Sequence, residues 1–202
     1  MLGKTHLAVG TAVTLAVMKP NTFQELLIGT GAAVIGAVIS DIDVGTSESS
    51  KDADKIIGIS VAAIGIIFLL DYIGKTNVIN LIQSNSSWLR ITVGSILFLG
   101  VCIFGKRQPH RSFMHSFLAL AILSALMEIV LPTAVPYFAF AFLTHLITDL
   151  FNFKKVQLFY PLPGGFCFKV FHARGIVNRF LFTAGSVITF FEISFRVWNM
   201  IG

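Results

Sequence analysis

The sequence predicts an all-α, polytopic transmembrane helical bundle of six to seven membrane segments, folded as a single integral-membrane domain over residues 1–202. Three observations carry this. Hydrophobic residues make up 55% of the chain and charged residues only 12%, where a soluble domain holds about 25% charged residues. Mean hydropathy is +0.82. The apolar residues gather in runs near the 17–25 residues or so that cross a bilayer as a helix, separated by short polar or basic connections.

The first segment runs from about Thr5 to Met18 and ends at Lys19-Pro20-Asn21. It is short for a span. His6 sits within it and no small-residue cleavage site follows, so no cleavable signal peptide is expected. The second runs from about Phe23 to Ile39. Gly29, Gly31, Ala32, Ala33, Gly36 and Ala37 mark it as a helix that neighbours approach closely. A polar loop, Ser40 to Asp54, precedes a third segment at Ile56 to Ile73, and the fourth is Trp88 to Phe104. After the basic loop Lys106 to Arg111 comes the fifth, Phe113 to Leu131, stopped by Pro132. The sixth covers Tyr137 to Phe151. A basic stretch containing Gly and Pro, Asn152 to Arg174, leads to the last, Ile176 to Met200, which spans or lies along the interface. There Glu192 and Arg196, four apart, are spaced for a helical ion pair. Cys102 and Cys167 give no disulfide pattern.

Alternating the sides of these segments places eleven of the fifteen Lys and Arg residues on the side that holds the N-terminus. The positive-inside rule makes that side cytoplasmic, and the localisation expected is a bacterial inner membrane. The net charge of +5 is then a property of cytoplasmic loops, and no nucleic-acid partner is expected. Lys154 and Lys155 would attract anionic lipid headgroups.

The same alternation brings His6, Asp41, Asp43, His110, His115, His145 and Asp149 to that basic face. They include four of the five histidines in the chain. A single histidine near a helix end is usually a cap or an interfacial residue, and Asp41, Asp43 or Asp149 alone reads as a helix terminus. Seven such residues from separate segments, all on one side, read instead as a metal or catalytic site. His145 and Asp149 are four apart and share one helix face. Asp41 and Asp43 lie in a loop. His110 and His115, five apart, do not share a face: His110 is expected in the loop and His115 in the first helical turn. Imidazole nitrogens and carboxylate oxygens suit zinc-type divalent ions. Seven donors exceed the three or four protein ligands of one zinc, so a centre of two or more ions is expected.

Such a centre suits phosphoester hydrolysis. The expected enzyme is a zinc-type, metal-dependent phosphoester hydrolase acting by metal-activated water at the cytoplasmic membrane face, with a phospholipid or lipid phosphate as substrate. The expected ligands are the four histidines and Asp149. Asp41 and Asp43 divide the roles of ligand and of general base or orienting carboxylate, in an order left open. Arg111 would steady developing phosphate charge. The alternative is a metal-ion transporter or metal sensor; transporters place their ligands near the bilayer midplane, whereas these cluster at one face.

Taken together, His6, Asp41-Ile42-Asp43, the run His110-Arg111-Ser112-Phe113-Met114-His115-Ser116, and His145-Leu146-Ile147-Thr148-Asp149 followed by Tyr160-Pro161 resemble the YdjM-like family of membrane proteins, which is regarded as comprising metal-dependent hydrolases. That resemblance implies a distant likeness to zinc-dependent phospholipase C and P1-type nucleases, helical enzymes that bind a cluster of zinc ions through His and Asp. It therefore also implies a phosphoester substrate.

Overall fold

The computed structural model describes residues 1–43, 58, 65, 69, 71–73, 77–173 and 175–201. Most of the expected third segment, most of the loop before it, and Lys51, Lys55, Lys75 and Arg174 lie outside the described residues. The described chain forms α1 (Gly3–Met18), α2 (Phe23–Val38), α3 (Val78–Asn85), α4 (Trp88–Lys106), α5 (Phe117–Val130), α6 (Val135–Leu150) and α7 (Ile176–Ile201). Short 3-10 turns cover Ile39–Asp43, Phe113–His115 and Pro132–Ala134. Among the described residues there is no β-strand; Val156 and Phe166 make an isolated antiparallel bridge.

Helix ends follow local chemistry. Thr22 caps α2 by accepting the Glu25 N–H, while the Glu25 carboxylate accepts the N–H of Asn21 at 3.0 Å, a near-reciprocal capping box. Ser87 caps α4 and Ser116 caps α5 in the same way. α1 stops where Lys19 turns left-handed (φ 51°). The Asp71 carboxylate accepts the N–H groups of Val78 and Ile79 at the start of α3.

Among the described residues, four apolar stretches are long enough to cross a membrane: Phe23–Asp43, Trp88–Lys106, Pro132–Leu150 and Ile176–Met200. This is fewer than the six to seven segments expected. Besides the third segment, the shortfall lies in α1, with 16 residues, and α5, with 14. At about 1.5 Å per residue both are shorter than a hydrocarbon core of roughly 30 Å. The fifth helix also begins later than expected, at Phe117, because the Phe113–His115 turn intervenes.

α2 and α6 pack along their length, with α1 against both, α5 beside α4, and α7 resting mainly on α1. The main core is built by Phe138, Phe142, Leu146, Leu123 and Met114 with Ile28 and Ala32. Close approach depends on small residues. A Cβ on Gly36 would collide with the Phe138 backbone carbonyl, and one on Gly185 would lie 2.8 Å from the Ala8 carbonyl carbon. Glu192 and Arg196 form the expected pair at 2.7 Å.

Gly36→Val should therefore force α2 and α6 apart. Overpacking of this kind costs about 1–3 kcal/mol, read as a lower melting temperature in detergent. Gly100→Val is the control, since nothing lies within 4 Å of a Cβ there, and it should leave the melting temperature nearly unchanged.

Candidate metal centre

The start of α1, the end of α2, the 110–116 segment and the end of α6 meet at one end of the bundle. There the structure brings all seven residues together. Three overlapping groups have ligand atoms within 4.8 Å of one another: His6, His145 and Asp149; Asp41, His115 and His145; Asp43, His110 and His115. All are buried except Asp41, whose side chain is 14% exposed, and His110, at 33%.

The outer nitrogen of each ring faces an oxygen. His145 Nδ1 lies 2.7 Å from the Ala37 carbonyl, which only accepts, so this nitrogen carries the proton. His6 Nδ1 lies 3.1 Å from Thr148 Oγ1. That hydroxyl already donates to the carbonyls of Thr144 and His145, so it accepts from His6. His115 Nδ1 faces Asp43 Oδ2 at 3.3 Å, and His110 Nδ1 lies 2.7 Å from Asp43 Oδ1. Carbonyls, hydroxyls and carboxylates behind the rings fix their tautomers, as second-layer partners do around metal ligands.

The inner nitrogens then present lone pairs to each other and to carboxylates. His115 Nε2 and His145 Nε2 are 3.4 Å apart. Asp41 Oδ1 is 3.6 Å from both, and Asp149 Oδ2 is 3.5 Å from His115 Nε2. Buried nitrogens and carboxylate oxygens facing one another in this way could hold a metal ion. With zinc-ligand bonds of about 2.0–2.2 Å, neighbouring ligands of a tetrahedral ion lie about 3.3–3.6 Å apart. His115 Nε2, His145 Nε2 and Asp41 Oδ1, mutually 3.4–3.6 Å apart, match that edge length, so these three residues fit a divalent ion, with Asp149 beside them. His6 Nε2 also faces Asp149 Oδ1, at 3.1 Å.

The chain has the architecture of a membrane protein with this buried cluster, and the family model described as YdjM inner membrane protein matches residues 1–200. The chain belongs to that family. No curated protein and no solved structure matches it.

In this YdjM family member, Arg111 engages a carboxylate of the cluster itself through its guanidinium. Its guanidinium contacts Asp149 Oδ2 at 2.9 Å and donates to the Lys154 carbonyl at 2.7 Å, while its backbone N–H donates to Asp43 Oδ2. The backbone there is left-handed (φ 67°). Two further groups on Asp149 escape sequence reasoning: Asn152 Nδ2 and the Met1 α-amino group donate to Oδ1 at 2.7 and 2.6 Å. Asn152 lies three residues beyond Asp149, a spacing that signals proximity on a helix end. Nothing in the sequence signals Thr148 or the Ala37 carbonyl. His172 packs edge-on to Phe153, outside the cluster.

Purified protein should retain divalent metal, and His145→Ala should lose it. Thr148→Val removes the acceptor behind His6 and should weaken metal binding about 10–100-fold, measured by chelator competition. Acidification should release the metal as the imidazoles protonate.

Proposed function

We propose that the protein is a membrane-bound, metal-dependent hydrolase of phosphoesters, acting at the cytoplasmic face on a phospholipid or lipid phosphate. The observation that carries this reading is the group formed by Asp41, His115 and His145, whose acceptor atoms lie at mutual contacts of 3.4–3.6 Å. A divalent ion held there, zinc above others, supplies a Lewis acid and lowers the pKa of water in contact with it. A second ion would draw on the group His6, His145 and Asp149.

The two loop carboxylates take different roles in this reading. Asp41 is the ligand, because its Oδ1 faces both buried Nε2 atoms. Asp43 is the orienting carboxylate, with one oxygen on His110 and the other on His115 and the Arg111 N–H. His110, the most exposed of the cluster's imidazoles, holds its Nδ1 proton against Asp43 and takes the proton of the attacking water at Nε2. Arg111 acts through Asp149, holding that carboxylate in place.

The lipid substrate is supported by the segment between α6 and α7. It stands beside the cluster through the Gln157 N–H on the Arg111 carbonyl. It exposes Phe153, Phe159, Phe166 and Phe168 together with Lys154, Lys155 and Lys169. Aromatic rings with lysines suit the headgroup layer. The cytoplasmic orientation is supported by the exposed Lys106, Arg107, Lys154 and Lys155 near this end of the bundle, under the positive-inside rule.

The purified protein should hydrolyse a phosphoester in a screen of lipid phosphates and chromogenic esters. His145→Ala and Asp149→Asn should each lower turnover by at least about 100-fold, the scale of losing a charge-stabilising or proton-transfer element. Metal retention without turnover, combined with metal flux in liposomes, would overturn the hydrolase in favour of a transporter. For orientation, a cysteine introduced at Lys155 in a cysteine-free background should be labelled from the cytoplasm; labelling from the periplasm would reverse the assignment.

A further inference from the structure

A second site lies beside the cluster, between the starts of α1 and α7. A cavity of about 500 Å³ is lined by Leu2, Lys4, Asn178, Arg179, Phe182 and Thr183. Its polar groups are donors. Asn178 is 1% exposed and uses Oδ1 to accept the Leu2 N–H at 3.3 Å. Its Nδ2 is left with no protein partner among the described residues. Lys4 Nζ stands over the Phe182 ring at 5.0 Å. Lys4 and Arg179 are both exposed, neither forms an ion pair among the described residues, and no carboxylate lines the cavity. α1 begins here without a side-chain cap, so its first N–H groups add positive potential.

Two cations, a buried amide donor and a hydroxyl with no acidic counterpart suit a phosphate-bearing anion. The remaining walls, Leu2 and Phe182, are apolar. The cavity adjoins α7, of which only 6% of the apolar window is buried. Ile176 and Phe180 beside it are 84% and 69% exposed. A free phosphate makes no use of these surfaces, whereas acyl chains do.

We propose that this cavity binds the phosphate headgroup of an anionic membrane lipid whose acyl chains lie along the exposed face of α7. The site stands whether or not the metal cluster is hydrolytic.

The test is a titration of the purified protein, in a neutral detergent, with labelled phosphatidylglycerol. Lys4→Ala/Arg179→Ala should weaken binding about 10–30-fold, as expected for two basic residues near a lipid surface. The control Lys106→Ala/Arg107→Ala removes an exposed basic pair elsewhere and should change binding less than about twofold. Arg179→Glu, a single exposed change, should reproduce the loss if the double variant folds poorly. Inorganic phosphate in large excess should not displace the lipid, and phosphatidylcholine should bind equally weakly to wild type and variant. Equal losses in the control pair, no loss in either cavity variant, or phosphate binding as tightly as the lipid would overturn the proposal.

Discussion

One buried carboxylate organises this end of the molecule. Asp149 is 1% exposed, at the end of a helix long and apolar enough to cross a membrane. A charge there is costly unless it is matched. Met1, Asn152, Arg111, His6 and His115 converge on its two oxygens. They come from the start of α1, the loop after α6 and the 110–116 segment. Matching Asp149 therefore ties together elements that share no hydrophobic periodicity. It also places His6 and His115 where their inner nitrogens face the centre.

The second layer performs a separate task. Each ring could present either nitrogen inward. The Ala37 carbonyl, the Thr148 hydroxyl and Asp43 remove that freedom for His145, His6 and His110 respectively. Backbone packing makes the first of these possible. α2 lies close enough to α6 to offer a carbonyl to His145 because Gly36 leaves room for the Phe138 backbone. A small residue in the apolar stretch and the tautomer of a buried imidazole are thus parts of one arrangement.

Much of this was legible in the sequence. The four-residue spacing of His145 and Asp149 fixed their common face, and alternation of segments brought ligands from distant positions to one end. Other features were not legible, for physical reasons. Window hydropathy counts apolar residues but does not register that α1 stops at a left-handed Lys19. Nor does it register that the buried face of α1 carries Thr5, His6, Thr11 and Thr14, sheltered by neighbouring helices rather than by lipid. The pairing of Arg111 with Asp149 needed three-dimensional proximity; in sequence, an arginine beside a ligand reads equally well as a substrate contact. A backbone carbonyl such as that of Ala37 has no residue-type signature at all.

The brevity of α1 and α5 has a mechanical consequence. Among the described residues, helices of 16 and 14 residues share the bundle with α7, with 26, so the apolar height differs from helix to helix. Bilayers answer a short hydrophobic stretch by thinning, and proteins answer it by association or by polar flanks that reach outward. A bilayer around this bundle would therefore meet different apolar heights at the short helices and at α7. Membrane thickness, set by acyl-chain length, is thus a variable to which this fold is mechanically coupled.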